Sequence, residues 1–326
     1  ISVAQLVNDL ILLGVDAKLV VHSPRGFDPE ISLLTEPLFF RDQRQLIEHF
    51  PQADLVVGTF WNTAYAVMKV FLRRGDFVPA YFVQDFEPAF IPENRSKLRE
   101  ACKNTYRFMP NCFAKTPWIC EKVRDCGGTI SMVPPALDLD LFYPREVPPN
   151  MGLKRILTML RPSTPRRGFY TALATFNKLA EERNDFEVHS FGSSDAELAH
   201  FTIKFPLINH GRVPNHQLPA LYSRAWCFAE FSSFHGFGRT VAEAFACGIP
   251  AVVTESGGTG FFCRSDVNCL TAKPDDVEAL SAHVSRLLDD TKLHARLAAA
   301  CRDSVRGFDR VESARETLRF LLSAFE

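Results

Sequence analysis

The chain has 326 residues, 46% hydrophobic and 23% charged, with a formal net charge of -1. That length suits two domains with a proper core, and the near-neutral charge argues against a nucleic-acid binder, which carries a basic excess. No apolar run is long enough to span a bilayer and no secretory signal opens the chain, so a cytoplasmic protein is expected.

Residues 2–13 place Val3, Leu6, Val7, Leu10 and Leu13 on one helical face, and Gly14 ends the helix. A strand is predicted over 15–22. Strands over 53–58, 80–84, 111–115 and 129–133 then alternate with helices over 62–74, 95–106 and 117–125. The stretch 143–150, with Pro144, Pro148 and Pro149, reads as a stiff linker. Beyond it the alternation restarts, with strands over 155–160, 186–191, 226–231 and 249–254 and helices over 169–182 and 218–223. A helical tail covers 277–288, 292–304 and 313–325. Near-continuous apolar strands alternating with amphipathic helices imply parallel sheets covered on both faces. The expected architecture is α/β: two Rossmann-like domains, 1–146 and 147–305, with a cleft between them. A last helix, within 306–326, is expected to pack back toward the first domain. A doubly wound domain begins with a central strand. This chain opens inside a helix instead, so a strand and its turn are expected upstream of Ile1. The nine cysteines are scattered without zinc spacing and read as small buried hydrophobes of a reducing compartment.

The stretch from Phe234 to Pro250 carries the most chemistry. His235-Gly236-Phe237-Gly238 is a glycine-rich loop running into a helix over 240–247, which Gly248 and Pro250 stop. Such a helix start points N–H groups and the positive end of a dipole at whatever lies there, and phosphate fits best. Glu243, one turn inside, is within reach of a ribose. The plainer alternative is an ordinary loop and core helix with Glu243 solvated.

These residues resemble the GT-B glycosyltransferases of family 4, retaining enzymes that use nucleotide-sugar donors. The resemblance covers nearly the whole chain. It is carried by the glycine loop, by Ala246-Cys247-Gly248-Ile249-Pro250, and by Arg161-Pro162-Ser163-Thr164-Pro165-Arg166-Arg167-Gly168. The linker-entry segment Val133 to Pro144 and Gly211-Arg212-Val213 match as well. It implies a GT-B fold and a donor pyrophosphate held by Arg161, Arg167, Gly238, Arg239 and Thr240. Arg167 stands where the family has lysine. Glu243 is implied on the ribose, the backbone at Arg212 and Val213 on the base, and His235, Gly236 and Phe237 on the donor sugar. His235, Gln84 and Asp85 fall at catalytic positions, with two departures: His235 replaces a glutamate, and Gln84 stands where a histidine is usual. Tyr81-Phe82-Val83-Gln84-Asp85-Phe86-Glu87-Pro88 resembles the rhamnosyltransferase-like branch that makes bacterial surface polysaccharides.

The implied reaction moves rhamnose or another hexose from a nucleoside-diphosphate sugar to a glycan or lipid-linked hydroxyl. No cofactor and no metal are expected, since the arginines and the helix start supply the positive charge. Asp138 and Asp140 read either as a metal-binding pair or as linker-entry sequence. Arg73, Arg74, Lys97, Arg99, Lys103 and Arg107 make basic helix faces, suited to anionic lipid at the inner face of a membrane or simply to solvent. Two other functions stay open: a non-catalytic module binding nucleotide sugar on a degenerate GT-B scaffold, and a GT-B sugar-nucleotide epimerase.

Overall fold

The computed structural model describes residues 1–22, 31–146 and 152–326. Pro148 and Pro149 of the expected linker lie outside the described residues. The chain divides into two compact units, Ile1–Ala136 with Asp309–Glu326, and Leu137–Phe308. The segment 137–146, expected with the first domain, packs with the second unit, whose core buries Leu137 and Phe142 completely. The Leu137 N–H donates to the Phe308 carbonyl (2.7 Å), which closes the second unit where the chain enters and leaves it.

In the first unit α1 (Ser2–Leu12) leads to β1 (Val20–His22), β2 (Leu38–Phe40) and α2 (Gln43–Glu48). β3 (Leu55–Gly58), α3 (Trp61–Arg74), β4 (Val78–Phe82), α4 (Ser96–Phe108), β5 (Cys112–Ala114), α5 (Pro117–Asp125) and β6 (Ile130–Met132) follow. β3 to β6 form one four-stranded parallel sheet in chain order. β1 and β2 form a separate parallel pair, and β1 is shorter than the 15–22 stretch because β2 offers only three partners. The sheet is covered as its apolar runs require: Tyr81, Tyr106, Ile119 and Val123 pack on one face. Phe82 and Phe113 stack 4.9 Å apart on the other, toward α1 and the last helix.

The second unit contains β7 (Lys154–Met159), α6 (Phe169–Glu182), β8 (Phe186–Phe191), α7 (Asp195–Leu198) and β9 (Leu207–Asn209). α8 (Leu218–Tyr222), β10 (Cys227–Glu230), α9 (Arg239–Ala246), β11 (Ala251–Thr254), β12 (Cys269–Ala272), α10 (Val277–Asp289) and α11 (Thr291–Val305) complete it. Its sheet has the order β12-β11-β10-β7-β8-β9 and is parallel throughout. The chain runs outward from β7 through β8 to β9, then returns to lay β10 on the other side of β7. In an open α/β sheet that reversal leaves a crevice at the carboxyl ends of the two strands, where ligands bind. α12 (Arg310–Ser323) belongs to the first unit. Arg310 pairs there with the buried Asp9 of α1, and Lys115 Nζ donates to Ser313 Oγ (2.5 Å).

All nine cysteines are buried and free. Among the described residues no helix is long and apolar enough to cross a membrane.

Candidate functional site

Three loops of the second unit converge at the β7/β10 reversal: 160–168 after β7, 231–238 after β10 and 255–261 after β11. Glycine is what lets them touch. A Cβ on Gly168 would lie 1.9 Å from the Phe231 carbonyl oxygen, and Gly168 has φ +70°. The Ser233 N–H donates to the Arg166 carbonyl beside it (2.8 Å). On the other flank a Cβ on Gly257 would meet the His235 carbonyl at 2.2 Å, and one on Gly258 the Gly236 carbonyl at 2.0 Å. The Gly258 N–H donates to His235 O (2.8 Å). Gly238, in the left-handed region at φ +87°, then starts α9 at Arg239, one residue earlier than the sequence suggests. The amino end of α9 is thereby presented to the loops with its partial positive charge.

His235 lies at the centre of this junction and is 1% exposed. Neither ring nitrogen has a hydrogen-bond partner among the described residues. Burial, with the positive charges of Arg167 and Arg166 adding to it, pushes its pKa down to about 4 against an opposing pull from Glu230. The imidazole is therefore neutral near pH 7, offering one donor and one acceptor. A buried polar group with both nitrogens unmet costs free energy unless something completes it.

Glu243 is 1% exposed rather than solvated. The Tyr222 hydroxyl lies 3.1 Å from its Oε2 and also 3.1 Å from the Thr240 carbonyl, so α8 fixes the glutamate against α9. Arg239 Nη1 lies 3.9 Å from Glu243 Oε1. Glu230, the last residue of β10, is 3% exposed and was not anticipated as a site residue. Its Oε2 accepts from the Thr240 hydroxyl (2.8 Å), and its Oε1 accepts from the Ser232 N–H (3.1 Å) and hydroxyl. Because the Thr240 side chain is committed to Glu230, what Thr240 offers a ligand is its backbone N–H. The signal for Glu230 was a carboxylate closing an apolar strand. For the 255–261 loop it was the run Ser256-Gly257-Gly258-Thr259-Gly260 after a buried strand.

Arg161 lies across the loop after β8: a Cβ on Gly192 would come within 3.1 Å of its Nε. The Gly192 N–H donates to the Gly211 carbonyl (2.7 Å), which brings Gly211-Arg212-Val213 to the same strand ends. Thus Arg161, Arg167, Arg212, Val213, His235 to Thr240 and Glu243 gather at one end of one sheet. Asp138 Oδ1 accepts from the Leu141 N–H (3.0 Å) and so closes its own turn. No group of three or more His, Cys, Asp and Glu suited to a metal ion occurs among the described residues.

Gln84 and Asp85 belong to the first unit, at the carboxyl end of β4. Gln84 Nε2 donates to the Thr59 carbonyl (2.7 Å), and Asp85 Oδ1 accepts from the Phe86 N–H (2.9 Å). Three arginines of the basic helix faces are engaged within this unit: Arg74 with Asp76, Arg107 with Glu100, Arg99 with the Pro88 carbonyl.

A reversed parallel sheet with glycine-built loops at the reversal, alongside a second α/β unit, is the architecture of the GT-B proteins. Residues 146–304 match the family model described as Glycosyl transferases group 1. The chain is 30% identical over 259 residues to the O-antigen biosynthesis protein RfbC of Myxococcus xanthus. That match takes in 78% of this chain but 20% of the relative, so the chain spans a small part of that protein's length. Among solved structures, sucrose-phosphate synthase from Thermosynechococcus elongatus superposes with a TM-score of 0.79 at 18% identity, covering 99% of this chain and 92% of that one. Anabaena HepE, solved in complex with UDP-glucose, superposes with a TM-score of 0.71 at 16% identity, covering 86% and 80%. Both likenesses concern the fold.

Proposed function

We propose that the second unit binds a nucleoside-diphosphate sugar at the β7/β10 crevice and that the protein transfers the sugar, with retention, to a hydroxyl of a glycan or lipid-linked acceptor in surface polysaccharide synthesis. The observation that carries this is the gathering of two arginines, a glycine-started helix and an unsatisfied buried imidazole at one sheet reversal. The RfbC relative supports the polysaccharide setting. The Gln84-Asp85 motif supports rhamnose or another hexose as the sugar.

In the reaction the bond from the anomeric carbon to the diphosphate oxygen breaks, and a bond to the acceptor oxygen forms. The electron pair leaves with the diphosphate, and the acceptor's proton is passed to it. Arg161, Arg167 and the N–H groups at Gly238 to Thr240 neutralise the charge that develops there, so the chemistry proceeds without a divalent metal. Glu243 holds the ribose and the backbone at Arg212 and Val213 the base. His235, as a neutral imidazole, takes a hydroxyl of the donor sugar together with Gly236 and Phe237. Gln84 and Asp85 serve the transfer from the first unit.

The test is incubation with a panel of nucleoside-diphosphate sugars and acceptor glycan, with and without EDTA, following free nucleoside diphosphate and the anomeric configuration of the product. Turnover that survives EDTA with retained configuration is expected. Binding without turnover points to the non-catalytic module, which the replacement of a carboxylate by His235 favours as the second reading. An isomerised sugar points to an epimerase.

A further inference from the structure

Glu87 follows Gln84 and Asp85 in the loop after β4 and is 1% exposed. It solves a local problem of α3. The residue preceding that helix is Phe60, whose side chain carries no hydrogen-bond acceptor, so the first helical N–H, at Trp61, needs one from elsewhere. Glu87 Oε2 provides it, accepting from the Trp61 N–H (2.5 Å) and from the Tyr81 hydroxyl (2.8 Å). The Glu87 N–H in turn donates to the Tyr106 hydroxyl of α4 (3.2 Å). Gln84, three residues before Glu87, makes its bond to the carbonyl of Thr59, two residues before Trp61 (2.7 Å). The loops after β3 and β4 are therefore fastened twice, by Gln84 and by Glu87.

Among the described residues, no cation is paired with this carboxyl. Tyr81 on β4, Tyr106 and Cys102 on α4, and the carboxylate of Asp85 are the titratable groups that bear on it, and none supplies positive charge. The nearby guanidinium, Arg99 of α4, gives its Nε to the Pro88 carbonyl (3.1 Å). Glu87 Oε1 is buried and meets no hydrogen-bond partner among the described residues. A proton on Oε1 removes a charge that would otherwise sit desolvated, and it leaves Oε2 with both of its donors.

We propose that Glu87 is a positioning residue for the transfer: held as an uncharged acid, it ties the amino end of α3 to the loop after β4 and so fixes Gln84 and Asp85. This rests on the reading that Gln84 and Asp85 serve the reaction. The direction of the Glu87 pKa agrees, since burial raises it to about 8, outweighing the bonds from Tyr81 and Trp61 that favour the charged form. The helix end also favours the anion, but by less than full burial disfavours it. Ionisation above about pH 8 would then loosen the fastening and draw the catalytic pair out of place.

The experiment measures kcat and donor KM against pH for the parent, Glu87→Gln and Glu87→Ala. Hydrogen exchange is followed alongside in peptides covering 59–63 and 84–90. In the parent, kcat is expected to fall about tenfold per pH unit above the midpoint. Glu87→Gln keeps an acceptor for Trp61 and Tyr81 and has no proton to lose, so its profile should stay flat where the parent's falls. Glu87→Ala should lose about tenfold or more in kcat with donor KM within about twofold, because the donor is held by the other unit. The two peptides should exchange faster in the parent than in Glu87→Gln as pH rises from about 7 to about 9. An unchanged alkaline limb in Glu87→Gln, or an exchange ratio that does not move with pH, overturns the proposal. If the parent turns over no nucleotide sugar, the transferase reading fails, and the exchange ratio alone decides whether Glu87 is the protonated fastening.

Discussion

In the second unit the loops after β7, β10 and β11 meet backbone to backbone, with Gly168 against Phe231 and Gly257 and Gly258 against His235 and Gly236. In the first unit the loops after β3 and β4 meet through side chains, with Gln84 on Thr59 and Glu87 on Trp61. The difference fits what each would hold. A diphosphate needs backbone N–H groups at close range, and only glycine gives that approach. Side-chain fastening leaves the backbone farther apart, and its strength depends on hydrogen bonds and protonation. Each unit also buries a titratable group near its strand ends that burial neutralises, in opposite senses: His235 falls to about 4, Glu87 rises to about 8. Stability tied to His235 is lost toward acid. Stability tied to Glu87 is lost as pH rises from its unfolded value toward 8.

The contrast breaks most sharply at the glycines. Gly168→Ala and Gly258→Ala each drive a methyl into a backbone carbonyl, and a loss of about 3 kcal/mol or more is expected in urea unfolding. Gly14→Ala is the control: its φ is +88° but nothing lies within 4 Å of the added carbon, so about 1–2 kcal/mol is expected. A loss at Gly168 no larger than at Gly14 would show that dihedral strain, not close approach, governs that position, and no loss at Gly258, which has no positive φ, would remove close approach there as well.

His235 gives the next largest effect. Its folded pKa of about 4 lies below the ordinary 6.5, so between these values the folded state binds fewer protons than the unfolded. The stability it confers is present above about pH 6.5 and drains away as pH falls toward 4, a span worth on the order of 3 kcal/mol. Guanidinium unfolding at about pH 7 and about pH 4.5 measures it. His235→Asn should flatten the difference, and an identical pH dependence in the variant would place the acid sensitivity elsewhere.

Arg167→Ala should weaken nucleoside diphosphate binding by about tenfold to a hundredfold, the loss of one charge-assisted contact, with little change in Tm. Titration calorimetry decides it, and unaltered affinity would remove Arg167 from the pyrophosphate site. The smallest effect belongs to the first unit. Gln84→Ala deletes the bond to Thr59 and should cost about 1 kcal/mol, leaving diphosphate affinity unchanged. A matching loss of diphosphate affinity would contradict the division of labour between the units.

The alternating pattern was readable because buried parallel strands are short apolar runs, as β4 and β11 are, while β8 shows a two-residue alternation of apolar and polar positions that also reads as a strand. β2 was not: Leu38–Phe40 sits in a stretch broken by prolines and charges and pairs with a strand of three residues. β9 and β12, at the two edges of the second sheet, were missed for a similar reason, being short with one free side. Glycines with arginines and a helix start made the donor-side candidates visible as one motif. Glu230 and Tyr222 escaped because their roles exist only once β10, α8 and α9 are packed, when one fastens Thr240 and the other Glu243. Glu87 was visible within a motif, but its task depends on Trp61, 26 residues earlier, and no local spacing reveals that.

The first unit is written in two pieces, with Arg310 reaching Asp9 across 301 positions of chain. On a ribosome, then, residues 137–308 have emerged and can close on themselves while α1 still awaits α12. The later-starting unit finishes first, and the earlier one stays open until the last helix is released. A released chain truncated after Phe308 is expected to protect the second unit from protease and to leave the first unit susceptible. Equal resistance in both would mean that α12 is dispensable for closing the unit it joins.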